Sequence, residues 1–346
     1  MDLKKIFLKE AAPTKVGGQA VLEGIMMKGE NRTAVVVLFP DGSMHMKTEK
    51  LPEKKKWAKV PILRGVYMFG SALVQGTKTL MYSAEVMESY QGEGAEVYEK
   101  DKLTLWLEKK FGEKGAWDVM LWFSVILAII FTVGIFIIGP TWVVNFAGRF
   151  VESEVGLNLI EGFFRILLFV LYVALVSKMQ DIRRVFQYHG AEHKCIHCFE
   201  NNIELTPENC QKFYTLHPRC GTSFLMFVMV ISLIMFSLLG WPDLLLRITS
   251  RVLLIPVIAG LSYELLKWAG RSDNWLVKVL SLPGLYLQKL TTREPDEKQL
   301  AVAIAAMKAV MVDESEPCYE GLCDIEGRLI DESTCERCDT DGEEPA

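Results

Sequence analysis

The stretch that decides the fold is Val119–Gly139, which reads VMLWFSVILAIIFTVGIFIIG and carries no charged residue. A helix of about 20 apolar residues is long enough to cross the hydrocarbon core of a bilayer. Comparable apolar runs follow at Leu157–Ser177, Phe224–Leu239 and Val252–Leu266. The sequence therefore predicts a mainly α membrane protein with about four transmembrane helices.

The composition supports this class and excludes others. Half of the 346 residues are hydrophobic, and they concentrate between Val119 and Leu282, whereas both ends of the chain are polar. The net charge of −5 gives no support to a nucleic-acid partner. The first 20 residues lack the apolar core and cleavage site of a signal peptide, so we expect the N-terminus to stay in the cytoplasm.

Orientation follows from the Lys and Arg residues near the spans, which favour the cytoplasmic side. Basic residues are frequent before the first span, between spans two and three, and after the fourth span. This predicts cytoplasmic N- and C-termini and a cytoplasmic loop at residues 178–221. That loop holds Lys178, Arg183, Arg184, Lys194, Lys212 and Arg219.

The chain divides into four regions by composition. Residues 1–56 are expected to form a glycine-rich segment and a β-hairpin, and residues 57–118 an interfacial helix and a charged linker. Residues 119–293 form the membrane domain, and residues 294–346 an acidic cytoplasmic tail. Within the first region, Met1–Glu10 is a candidate short helix.

The hairpin is predicted from two strand-like runs, Thr33–Phe39 and Ser43–Leu51, which are separated by the turn residues Pro40, Asp41 and Gly42. The glycine-punctuated segment before it, Gly17–Gly29, lacks the pattern of a phosphate-binding loop. A phosphate-binding loop stays a weak alternative for that segment, and packing against the cytoplasmic face of the helix bundle explains it at least as well. In the tail, Ala301–Val312 is predicted to be a short helix.

The residues best suited to metal binding and catalysis lie in the predicted cytoplasmic loop. His189 and His193 lie one helical turn apart in an H-x-x-E-H pattern, with Glu192 beside them. Two imidazoles at this spacing can reach one metal ion, and the adjacent carboxylate can accept a proton from water. The helix that carries them is expected to continue directly from the second span. Zn²⁺ is the divalent metal that this pattern favours.

Two further segments place ligand-type residues on the same, cytoplasmic side of the membrane. His217 or Cys220, just before the third span, is the candidate third ligand. Glu264, near the end of the fourth span, is a candidate ligand or a residue that orients one, although a pair with Lys267 or Arg271 would also explain it.

Three other groups of charged or thiol side chains have alternative interpretations. Arg219 is a candidate for stabilising developing negative charge. Arg183 and Arg184 anchor the loop at the membrane or bind a lipid phosphate. The tail thiols hold a structural Zn²⁺ or belong to a disordered acidic segment; they are Cys318, Cys323, Cys335 and Cys338.

Three motifs resemble the YqhQ-like family of bacterial membrane proteins. They are Gly17–Gly29, Asp181–Lys194 and His217–Ser223, within a shared region of roughly residues 15–293. The resemblance implies a multi-pass protein of the bacterial inner membrane, from a family of unknown function whose members are commonly labelled predicted metal-dependent enzymes. It supplies no substrate, and it does not extend to the tail.

Two functions are consistent with these features. The first is a metal-dependent hydrolase that acts at the cytoplasmic leaflet on a lipid headgroup or a membrane-proximal peptide, with Glu192 as the general base. The second is a non-catalytic scaffold, stabilised by the metal, that recruits a cytoplasmic or membrane protein. A transporter fits less well, because spans one and three lack charged residues at mid-membrane depth.

Overall fold

The structure is a computed structural model that describes residues 14, 16–52, 60–90, 102–239, 244–269, 274–313 and 316–330. The strands are β1 (Gly17–Val21), β2 (Gly24–Lys28), β3 (Arg32–Leu38), β4 (Met44–Lys50) and β5 (Glu320–Cys323). The helices are α1 (Leu63–Ser89), α2 (Lys102–Val133), α3 (Gly139–Ala147), α4 (Glu154–Val176), α5 (Gln180–Glu200), α6 (Pro207–Gln211), α7 (Gly221–Leu238), α8 (Leu244–Ala269), α9 (Trp275–Thr291) and α10 (Glu297–Val310). A π-helical segment, Gly134–Ile138, joins α2 to α3.

Four helices in the described part of the chain are long and apolar enough to cross a membrane. They are Trp122–Ala147, Glu154–Val176, Gly221–Leu238 and Thr249–Ala269. Each overlaps one of the four apolar runs in the sequence, so the prediction of a mainly α membrane protein is confirmed.

The chain separates into two compact units. One comprises Met1–Glu93, Val173–Ile231 and Ile248–Ala346, and the other comprises Gly94–Tyr172 and Ser232–Arg247. The second unit is helical and includes the ion pair between Glu161 and Arg165 in α4. The first unit contains the sheet and the His/Glu/Cys cluster, and it carries the functional argument.

The sheet is an antiparallel meander in the order β1-β2-β3-β4-β5. The predicted hairpin is confirmed as β3 and β4, with Val36 opposite Met46. The glycine-rich segment adds a second hairpin, β1 and β2, which the sequence did not predict. Gly24 is needed there, because a Cβ atom would lie 2.3 Å from the backbone oxygen of Val36.

The turn of this second hairpin packs on α5. Glu23, at a φ of 48°, accepts a hydrogen bond from Arg184 Nε at 2.5 Å and another from the Tyr188 hydroxyl at 3.2 Å. The glycine-rich segment therefore packs on α5, in the loop between the second and third spans, rather than on the spans themselves, and Arg184 is paired with Glu23 of the same chain. The candidate helix Met1–Glu10 lies outside the described residues.

The tail completes the sheet domain. The predicted helix is confirmed as α10, which begins with a capping box formed by Asp296 and Gln299. Its apolar residues, such as Leu300 and Ile304, are fully buried against the sheet and α5. Strand β5 then pairs with β4. The division into an N-terminal hairpin and a separate tail is thus replaced by one domain built from both ends of the chain.

One expectation about the helices needs correction. The chain does not run straight from α4 into α5, because Met179 has extended backbone angles (φ −66°, ψ 139°) that break the helix. Helix α9 continues through Pro283 and Gly284. Gly284 permits close packing there, since a Cβ atom would lie 2.6 Å from Ser223 Oγ at the start of α7.

Replacing Ile304 with Ala should destabilise the sheet domain by about 2–5 kcal/mol, because it opens a cavity in a fully buried core. Thermal unfolding of the purified protein in detergent measures the effect. Lys298→Ala, at an exposed position of the same helix, is the matched control. Equal melting temperatures for the two variants would contradict the integration of the tail into the domain.

Candidate metal centre

Helix α5 presents His189 and His193 side by side, with ring centroids 4.4 Å apart. The Nδ1 atom of His189 lies 2.8 Å from the backbone oxygen of Thr291, and Nδ1 of His193 lies 2.5 Å from that of Thr215. A carbonyl oxygen only accepts, so each Nδ1 must carry the proton that it donates. Both Nε2 atoms therefore keep a lone pair.

Cys220 faces these two imidazoles. Its sulfur lies 3.2 Å from His189 Nε2, and one ligand atom from each of the three residues lies within 4.8 Å of the others. Burial by itself would raise the pKa of the Cys220 thiol, but interactions with His193 and Thr222 lower it below its ordinary value. The cluster thus consists of two imidazoles held by backbone carbonyls and a thiol whose pKa is lowered by its neighbours.

Glu192 lies on the same helix, beside the cluster. Burial raises its pKa to about 7, and its charge interacts with His189 and Cys220. One carboxylate oxygen, Oε2, is buried and has no hydrogen-bond partner within the described part of the chain. An unsatisfied buried acceptor of this kind is rare in native proteins, so Oε2 is the atom through which Glu192 can bind a further partner.

Gly18 in β1 packs directly against the side chain of Glu192. Its backbone N–H donates to the carboxylate. A Cβ atom at this position would lie 2.9 Å from Glu192 Cδ and 2.7 Å from the backbone oxygen of Met26. The glycine is therefore required by close approach to the acidic side chain, which links the first sequence motif to the second.

A second group of ligand-type residues, His197, Glu200 and His217, lies next to the first. Several of its ring nitrogens already contact partners within the protein. Nε2 of His197 lies 2.9 Å from the backbone oxygen of Leu216 and therefore carries a proton. The backbone N–H of Arg219 donates to His217 Nδ1 at 3.3 Å, which leaves the Nε2 proton of His217 directed at Glu200, 3.6 Å away.

Glu200 is the centre of this second group. It accepts hydrogen bonds from the backbone N–H and hydroxyl of Thr14 at 3.0 and 3.1 Å, and it pairs with the guanidinium of Arg219. Burial would raise its pKa, but His217, Thr14 and Arg219 together lower it to about 2. The negative charge of Glu200 is thus neutralised within the protein.

These contacts distinguish the two candidates for a third ligand. His217 uses one ring nitrogen to accept from Arg219 and directs the other at Glu200, whereas Cys220 points at both free imidazole lone pairs. The geometry therefore favours Cys220. Burial lowers the pKa of His193 and of His217 to about 4, so both rings are neutral at pH 7.

Gln288 in α9 holds the segment that carries both candidates. Its side chain accepts from the backbone N–H of His217 and donates to its backbone oxygen, each at 2.8 Å. It also donates to Ser223 Oγ at 2.9 Å. Sequence reasoning missed Gln288 and Glu200, because nothing in their local pattern distinguishes them from ordinary polar residues.

Two residues chosen from the sequence lie elsewhere. Glu264 is held by a bidentate ion pair with Arg64 of α1 and by the backbone N–H of Ile62 at 3.3 Å, and it belongs to neither group. The guanidinium of Arg219 is bound to Glu200 and to the backbone oxygen of Thr14.

The tail cysteines are only partly described. Cys318 is buried, and Cys323 is buried in β5, where burial raises its pKa to about 12. Neither belongs to a group of three or more metal-ligating side chains among the described residues. Cys335 and Cys338 lie outside those residues, so the tail zinc site stays a prediction.

Comparison with known proteins gives a family and no reaction. Residues 60–313 match the family described as "Protein of unknown function (DUF1385)". The uncharacterized protein YqhQ of Bacillus subtilis (strain 168) is 34% identical over 311 residues, which cover 88% of this chain and 94% of the relative. No solved structure matches the chain.

Arg219→Met should lower the melting temperature at pH 7, because it leaves the buried Glu200 charge without its cation, at a cost of about 3 kcal/mol. The pKa of Glu200 is lowered on folding, so its contribution is present above the ordinary value of 4.5 and is lost as the pH falls toward about 2. The difference in melting temperature between Arg219→Met and the unsubstituted protein should therefore become smaller below about pH 4.

Arg183→Met, which removes an exposed arginine of α5 that has no part in the Glu200 network, is the control for this measurement. A melting temperature of Arg219→Met that matches this control across the pH range would contradict the assigned network.

Proposed function

The chain belongs to the DUF1385 family of proteins of unknown function, and we propose that it is a metal-dependent hydrolase whose metal is held by His189, His193 and Cys220. One observation carries the proposal. Backbone carbonyls hold both histidines in the tautomer that leaves Nε2 free, and Cys220 meets the resulting lone pairs. A hydrogen bond from the other ring nitrogen is the usual support of a metal-ligating histidine.

The residues fit a zinc ion well. Two imidazole nitrogens and one thiolate sulfur form a ligand set that suits Zn²⁺, and softer sulfur ligation disfavours Mg²⁺ or Ca²⁺. Three protein ligands leave a fourth position open, which distinguishes catalytic zinc sites from structural ones. The unpartnered Oε2 atom of Glu192 beside the cluster supports the same interpretation.

The chemistry divides between the ion and the protein. When bound, Zn²⁺ makes water acidic enough to lose a proton near neutral pH and polarises a carbonyl or phosphoryl oxygen. Glu192 would accept a proton at Oε2, and the N–H of Gly18 would hold its carboxylate in place. Arg219 would act as a positioning residue, because it fixes the segment that carries Cys220 through Glu200.

The position of Cys220 suggests where the substrate lies. Cys220 immediately precedes α7, one of the four candidate spans, so the site would lie at the membrane surface. The excess of Lys and Arg in residues 178–221 favours the cytoplasmic leaflet of the bacterial inner membrane. A lipid headgroup or a membrane-proximal peptide would reach the site there.

Elemental analysis of the protein purified in detergent without chelator tests the metal. In a Cys335→Ser/Cys338→Ser background, which removes the predicted tail site, we expect one equivalent of zinc, reduced by at least tenfold when His189→Ala/His193→Ala or Cys220→Ser is added. His45→Ala is the control, because His45 lies in β4 and belongs to neither ligand group. A well-folded preparation without metal would contradict the proposed centre.

Glu192→Gln separates catalysis from a structural role. We expect this variant to keep its metal and to lose, by a hundredfold or more, the release of water-soluble product from vesicles of bacterial lipids. Mass spectrometry of the aqueous phase measures the product. Metal lost together with activity would make Glu192 a ligand. Two results together would instead support the non-catalytic scaffold. The metal-loaded unsubstituted protein would release no water-soluble product, and bacteria whose only copy of the protein is Glu192→Gln would grow at the normal rate.

A further inference from the structure

One face of helix α9 joins a membrane span to the histidine cluster. A Cβ atom on Gly284 would lie 2.6 Å from Ser223 Oγ in the first turn of α7, and Gln288 donates to the same hydroxyl at 2.9 Å. In the last turn of α9, the backbone oxygen of Thr291 lies 2.8 Å from Nδ1 of His189. The inner face of α9 is therefore explained by contacts within the protein.

The two neighbouring spans place α9 at a membrane surface. Helices α7 and α8 are consecutive candidate spans, so the start of α7 and the end of α8 lie on the same side of the bilayer. Helix α9 packs on the start of α7 and follows the end of α8 after residues 270–274. Trp268, in the last turn of α8, is 41% exposed. Helix α9 therefore lies at the level where both spans leave the bilayer.

The outer face of α9 is apolar, aromatic and exposed. Trp275 is 72% exposed, Val279 is 50% exposed and Tyr286 is 57% exposed. Their spacing along the helix puts these side chains on one side. The ammonium of Lys289 lies over the Tyr286 ring, 5.0 Å from its centroid. Tryptophan, tyrosine and lysine around an apolar face are typical of helices in the interfacial layer of a membrane, where aromatic rings lie at the level of the headgroups.

We propose that the outer face of α9, formed by Trp275, Val279 and Tyr286, lies in the interfacial layer of a phospholipid leaflet. The bilayer is the occupant that the structure favours, because α9 follows one membrane span and packs on another. An amphipathic helix of this kind enters the leaflet by about 5–10 Å. The inner face of α9 would then hold His189 within about 10 Å of the lipid, one helix diameter. The inference concerns a surface and does not depend on the metal.

Nitroxide labels on single introduced cysteines test the position of this face. Val279→Cys and Tyr286→Cys are made in the full chain, which is reconstituted in vesicles with equal amounts of phosphatidylcholine and phosphatidylglycerol. Cys335→Ser/Cys338→Ser is the common background, because the other six cysteines are buried. The signal of the labelled background without an added cysteine is subtracted.

Two controls set the scale of depth. Leu253→Cys, at a position of α8 that is 71% exposed, reports the lipid, and Lys298→Cys, at an exposed position of α10, reports water. Relaxation of each label by oxygen, which concentrates in hydrocarbon, is compared with relaxation by a water-soluble nickel chelate on both sides of the membrane. The ratio of the two rates gives the depth of the label. Circular dichroism verifies that all four variants are folded.

We expect the labels at positions 279 and 286 to lie about 5–10 Å below the phosphate level, between the two controls. Nickel access equal to that of the Lys298→Cys label would place the face in water and overturn the proposal. Poor access of both oxygen and nickel would show that protein covers the face, either a second copy of this chain or another protein, and would also overturn it.

Discussion

The structure depends on burying a polar helix. Helix α5 contains three histidines, two glutamates and a lysine between His189 and Glu200, yet nearly all of these residues are buried. Each buried polar group needs a partner, since an unpaired one costs about 1–3 kcal/mol and a charge costs more. The elements around α5 are therefore placed where they supply donors and acceptors to it.

Each neighbouring element supplies part of that set. Strand β1 donates to Glu192, and the last turn of α9 accepts from His189. The ammonium of Lys194 donates to backbone oxygens of Gln211 and Phe213 in the segment after α5 and pairs with Glu294 at 2.9 Å. Both ends of the chain and the segment between α5 and α7 thus converge on one helix. This explains why the sheet domain contains residues as distant as β1 and β5.

The sequence predicted the parts of the fold that depend on local pattern. Apolar runs identified the four spans, the β3–β4 hairpin followed from its turn, and helical spacing placed His189 and His193 on one face. It did not predict the β1–β2 hairpin, because its glycines are needed for contact with Val36 and Glu192 rather than for a loop. Nor did it place β5, since pairing with β4 joins segments more than 270 residues apart.

The residues of the candidate site were likewise predicted only in part. His217 and Cys220 were both chosen through the topology, which brings the end of the loop back to the membrane surface, and only the contacts in the structure favour Cys220. Glu264 was chosen by the same argument, but depth along a helix does not fix the direction of a side chain, and Arg64 of α1 binds it. Glu200 was missed, because its role arises from Thr14 and Arg219, which lie 186 residues before it and 19 residues after it.

Cys220 also couples the cluster to the membrane helices. It is the residue directly before α7, and Gln288 of α9 fixes the preceding His217 through both backbone groups. His189 is held by Thr291 at the end of α9 and His193 by Thr215, so an axial movement of α7 against α9 would move the Cys220 sulfur relative to both imidazoles. A site assembled in this way keeps its geometry only while α7 and α9 are packed together, so its ligand affinity should respond to the packing of the bilayer around them.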